Sequence, residues 1–144
     1  MNILSLLPVY IFSYFVGQAD GLHLAYSTDG YHWNALAGNK SLLVPQTGKD
    51  KLMRDPSICQ GPDGTFHMVW TSSWHDRIIG YASSKDLAHW SEQKAIPVMM
   101  HEPEAHNCWA PELYYDVPSG TYYIYWATTI PGRHSYVPTT ENEK

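Results

Sequence analysis

Residues 55–71 read DPSICQGPDGTFHMVWT, and residues 110–127 read APELYYDVPSGTYYIYWA. Each opens on an X-Pro pair, passes through a Gly/Pro/Asp turn and ends in a run of aromatic and β-branched residues, the signature of two strands joined by a turn. The aromatic runs Phe66–Thr71 and Tyr122–Ala127 lie 56 positions apart, and a third, Tyr10–Phe15 (YIFSYF), lies 56 positions before the first. A second element also recurs: Ala25–Trp33 (AYSTDGYHW) returns as Ala82–Trp90 (ASSKDLAHW) at an offset of 57. One unit thus holds four short strands. The first begins at Pro56 or Pro111, the second is the aromatic run, and the third ends in Ala-Tyr-Ser or Tyr-Ala-Ser. The fourth is a short apolar segment, Ser41–Val44 or Ala95–Met99, beyond an Asp turn closed by a Trp. A repeated four-stranded unit of this length reads as a β-propeller blade. A β-sandwich with accidental similarity competes, but three elements recurring at one offset disfavour it.

The expected fold class is therefore all-β. The blade units are expected at about 1–51, 52–108 and 109–133, followed by a polar tail at 134–144. Propellers close with about four to eight blades, so 144 residues supply roughly two and a half. The expectation is an incomplete piece of a longer propeller. Otherwise, unpaired blade faces would drive self-association.

Charged residues make up 16% of the chain and the net charge is −5, with no run of Lys or Arg. A nucleic-acid partner is excluded on that ground, since phosphate binding needs a basic face. The 2 Cys and 8 His form no zinc pattern. His101 and His106 are one residue too far apart for H-E-x-x-H, and Pro103 opposes a helix between them. No metal site is expected. Residues 3–16 are apolar but too short to span a membrane, and they lack a basic n-region and a clear cleavage site. Localisation stays open. In the repeat register, Cys59 and Cys108 sit about 20 Å apart along extended strands, too far for a disulfide.

The repeat separates architecture from chemistry. Asp29 and Asp86 hold equivalent turn positions, as do Asp63 and Asp116 in the hairpin turns, so all four read as turn residues bonding local backbone. Asp55 and Glu112 do not repeat: the positions equivalent to them carry Ala110 and Ser57. With side chains alternating at period two, both carboxylates are expected to face the same way from the innermost strands of adjacent blades, which line a propeller's channel. Ion pairing of Asp55 with Arg54, and a backbone hydrogen bond for Glu112, are the structural alternatives. Trp74 and His75 follow the second aromatic strand, and Asn107 and Trp109 lead into Pro111-Glu112. Such loops suit sugar recognition, though Trp109 packing between blades is an equally good reading.

The segments RDPSI (54–58), GPDGTFHMVWTSSW (61–74), IGYASSKDLAHW (79–90) and NCWAPELYYD (107–116) resemble glycoside hydrolase family 43 and its relatives. Those are five-bladed β-propeller glycosidases acting on arabinose-, xylose- or galactose-containing glycans. The resemblance runs from about Tyr10 to about Arg133. It implies an inverting hydrolase in which Asp55 matches the general base. Arg54, Trp74, His75, Asn107, Trp109 and Glu112 would then shape the substrate pocket for an oligosaccharide or polysaccharide. The family's general acid lies in a Glu-Gly-Pro motif, and its pKa-tuning Asp in Ile-Asp-Ala or Ile-Asp-Pro. Neither motif occurs in this sequence, so the isolated chain is expected to be inactive or incomplete. No cofactor is expected, although the complete family fold has room for a channel cation held partly by a His of a later blade. A non-catalytic, degenerate carbohydrate-binding propeller fragment is the alternative. Full-length relatives of this kind are secreted or periplasmic.

Overall fold

A computed structural model describes residues 9–133. The expectations for residues 1–8 and for the polar tail at 134–144 fall outside that range. The described residues form nine strands: β1 (Tyr10–Tyr14), β2 (His23–Ser27), β3 (Asn34–Ala35), β4 (Arg54–Gln60), β5 (Phe66–Thr71), β6 (Ile79–Ser84), β7 (Lys94–Ile96), β8 (Trp109–Asp116) and β9 (Thr121–Ala127). They assemble as three antiparallel sheets in the orders β1-β2-β3, β4-β5-β6-β7 and β8-β9. The middle sheet is a whole four-stranded blade, and the other two are partial ones. Among the described residues the fold is all-β apart from one short 3-10 segment, Leu36–Asn39.

The blades pack in series. Strand β4 lies beside β1 on one side and β8 on the other, and β5 also packs against β8. Strand β5 shows why the aromatic run stays apolar throughout. Met68 and Trp70 enter the core shared with Leu22 and Leu24 of the first blade and with Met53. Val69 points to the opposite face, into the core shared with Ile79 and Cys108 on the third-blade side. Period-two alternation thus serves two cores at once. Trp70 needs a glycine across the ladder. It pairs with Gly80, where an added Cβ would lie 2.1 Å from Trp70 Cε2.

The two Asp turns are duplicated bond for bond. Ser27 Oγ accepts from the N–H of Asp29 and Gly30, while Asp29 Oδ1 accepts from the N–H of Tyr31 and His32. Ser84 and Asp86 repeat this with the N–H of Asp86, Leu87, Ala88 and His89. Each Asp also holds a His ring at 2.7 Å. The backbone N–H of the His three residues on is the largest reason that both carboxyls sit well below the usual carboxylate range. Trp90 packs onto the first core, but Trp33 stays 43% exposed.

Two further expectations change. Ser41–Val44 is not a strand: it makes the single bridge Leu22↔Leu43, and Asn34–Ala35 takes the outer place in the first sheet. Approach is so close there that a Cβ on Gly21 (φ 107°) would meet Leu43 O at 2.0 Å. The period-two argument for Asp55 also fails in its premise. The ladder slips between Arg54 and Ser57, and equally between Trp109 and Glu112. These are β-bulges, which break the alternation of faces. Asp55 (φ 51°) and Ala110 (φ 46°) hold the same left-handed position in their two bulges.

Candidate active site

Asp55 projects from the bulge of β4. Asp tolerates left-handed backbone better than most residues, so the conformation is met at modest cost. Its Oδ2 accepts a hydrogen bond from Thr71 Oγ1 at 3.1 Å, and Thr71 Oγ1 in turn accepts the N–H of Ala110 at 2.8 Å. The amide can only donate, so the hydroxyl's single proton is directed at Asp55. Thr71 is 1% exposed, which keeps water from competing. The arrangement fixes the carboxylate and ties two blades together at their bulges.

Two hollows meet here. One, of about 370 Å³, is lined by Asp55, Ser57, Ala110 and Glu112 together with Phe12 and Ser13 of β1. The other, of about 360 Å³, is lined by Arg54, Asp55, Thr71, Trp74, Trp109 and Ala110. Asp55 and Glu112 therefore share one hollow, although the bulges rather than simple alternation set their directions. Glu112 accepts a hydrogen bond from Tyr125 Oη, its cross-strand partner on β9. That bond is the main reason the Tyr125 phenol is held above its ordinary pKa.

The second hollow has an aromatic wall. Trp74 and Trp109 meet edge to face, with centroids 6.1 Å apart, and Trp109 Nε1 donates to the Trp74 carbonyl at 3.0 Å. Trp109 thus joins the blades and lines the hollow at once. Trp74 Nε1 donates to Gln18 Oε1, and its backbone N–H donates to Asp50. The Arg54 guanidinium carbon lies 4.9 Å from the ring centroids of both Phe15 and Trp74. Among the described residues, Arg54 forms no ion pair with Asp55 or with any other acid.

His75 is exposed in the loop after Trp74 and lines neither hollow. Asn107 lies away from them. It is 3% exposed, and its amide is spent on Thr129, with Nδ2 donating to Oγ1 and Oδ1 accepting the backbone N–H. The side chain braces the exit of β9. Cys59 and Cys108 are both free thiols, as the spacing predicted.

Reading the sequence alone missed Thr71, Tyr125 and Phe15. Thr71 left a trace, being the one polar residue where the repeat puts Phe15 and Ala127. Tyr125 left none, because its role depends on the register of β8 against β9. Among the described residues, no three His, Cys, Asp or Glu side chains converge to hold a metal ion. Among them, too, no helix is long and apolar enough to cross a membrane.

Residues 7–143 match the family described as a probable glycosyl hydrolase domain, related to glycosyl hydrolase family 43. The chain belongs to that family. Two solved structures agree on the fold. A glycosyl hydrolase from Bacteroides ovatus superposes with a TM-score of 0.57 at 21% identity, covering 82% of this chain and 40% of that one. A candidate glycosidase from Bacteroides thetaiotaomicron gives 0.51 at 23% identity, covering 74% and 35%. A candidate glycoside hydrolase from Parabacteroides distasonis is 30% identical over 49% of this chain and 22% of that one, with a TM-score of 0.40. The domain therefore spans two fifths or less of each solved chain's length. No curated protein is similar enough to count as a match.

Proposed function

We propose that this domain supplies part of the active site of an inverting glycoside hydrolase acting on arabinose-, xylose- or galactose-containing glycans. Asp55 is the general base that activates water. The observation that carries this is the Thr71 hydroxyl, polarised by the Ala110 N–H, donating to the Asp55 carboxylate at the meeting of two hollows. A base must be aimed to take a proton from water, and a carboxylate held by a directed hydrogen bond meets that need. Trp74 and Trp109 offer apolar ring surface for a sugar, and Glu112 borders the same space. The general acid that inversion also needs is not assigned to any residue of this chain. In the intact native protein, Asp55→Asn should abolish hydrolysis and leave glycan binding measurable by fluorescence titration. Hydrolysis surviving that substitution would remove Asp55 from the mechanism.

The Trp74–Trp109 pair also favours a second reading, a carbohydrate-binding propeller without catalysis. It predicts saturable oligosaccharide binding, weakened by Trp74→Ala, with no release of reducing sugar from any glycan. Turnover by the native protein would end that reading.

A further inference from the structure

We infer that the Arg54 hollow reads a carboxylate on the sugar, so that the preferred glycan carries a uronic acid beside Asp55. This inference rests on the sugar-site reading above and deepens it.

Arg54 is half-buried at the bulge of β4, with its guanidinium carbon held 4.9 Å from both the Phe15 and the Trp74 ring centroids. Rings against the guanidinium leave its edges, where all the N–H donors lie, for recognition. The acids around the hollow are already engaged. Asp55 is turned to Thr71, Asp50 accepts from Trp74 N–H, and Asp76 accepts from Arg77 N–H and Lys49 N–H. Among the described residues, the guanidinium has no carboxylate partner. A half-buried cation favours an anion of matching shape, and a planar fork of donors matches a carboxylate bidentately. The same hollow holds the Trp74–Trp109 wall, where the sugar ring would lie. A neutral pentose would leave those donors unmatched.

The test uses the intact native protein. Tryptophan fluorescence is titrated with glucuronate- and galacturonate-terminated disaccharides, with their methyl esters and with sulfated disaccharides. The acid should bind at least about tenfold tighter than its ester, in keeping with a charge-assisted bidentate contact, and the advantage should shrink as salt rises. Arg54→Gln should collapse the acid-to-ester ratio towards one. Arg54→Lys, which keeps the stem and the charge, should retain part of it and guards against a folding defect. Equal affinity for acid and ester, an unchanged ratio in Arg54→Gln, or binding of the sulfated sugar alone overturns the inference. If the ratio is flat while Asp55→Asn still stops hydrolysis of a neutral glycan, this inference falls and the hydrolase reading stands. If no glycan is hydrolysed but the Arg54-dependent ratio is present, the reverse holds.

Discussion

Thr71 aims Asp55. The hydroxyl sits on the last residue of β5, accepts a hydrogen bond from the Ala110 N–H of the next blade and donates its one O–H to the Asp55 carboxylate at 3.1 Å. Thr71→Val keeps the shape and removes both bonds. It should lower kcat by about ten- to a hundredfold, the worth of one hydrogen bond to a charged group, with KM changing far less. It should also destabilise the fold by about 1–3 kcal/mol, because the Ala110 amide loses its partner. Thr71→Ser should restore kcat. A variant that loses stability but keeps kcat would show that Thr71 only joins the blades.

Gly80 is a packing requirement. A methyl group there would lie 2.1 Å from Trp70 Cε2, and Trp70 is fully buried with no room to withdraw. Gly80→Ala should cost at least about 1–3 kcal/mol by overpacking, read as a fall in urea midpoint. Gly30→Ala is the control. Gly30 has open space around it, and its counterpart Leu87 already adopts the same left-handed backbone, so the cost should be the smaller one of conformation alone.

The Asp turns make stability depend on pH in two windows. Asp86 is depressed below its ordinary 3.8, first by the His89 backbone N–H and then by the His89 ring. A depressed carboxyl stabilises the fold above its unfolded pKa, and that stability is lost as pH falls below about 4. His89 is raised above its ordinary 6.5 by the same Asp86. Its contribution is complete below 6.5 and is lost as pH rises through the higher folded value. Asp86→Asn should therefore lower Tm most near pH 5–6, with the gap to wild type narrowing at pH 2–3 and again as pH rises above 6.5 through the higher folded value of His89. A constant gap across that range would refute the linkage.

The two thiols should differ in reactivity. Cys108 is 1% exposed, and burial, followed by the nearby Asp76, pushes its thiol up to about 11. Cys59 is half-buried on β4. The thiolate is the reactive species, so a native-state thiol titration should show one accessible group, abolished by Cys59→Ser, and a second only after unfolding. Two fast thiols would mean that the core between the second and third blades opens.

The amino-acid sequence alone was enough for the all-β class and for most of the strands, because alternation, turn residues and Ser-x-Asp spacing are local signals. It misplaced the outer strand of the first sheet, where Asn34–Ala35 pairs in place of Ser41–Val44. It was also enough to set Asp29, Asp63, Asp86 and Asp116 aside, since an Asp that caps its own turn needs no distant partner. Tertiary structure alone decided the site. The bulge that turns Asp55 depends on a slip in pairing with β5, which residue types in β4 do not announce. Thr71 matters only because two blades bring Asp55 and Ala110 to its hydroxyl. Asn107, read from its loop as a sugar contact, instead points inward because β9 leaves Thr129 beside it. Local preference sets which strands form, while the contacts made between blades set where their side chains point.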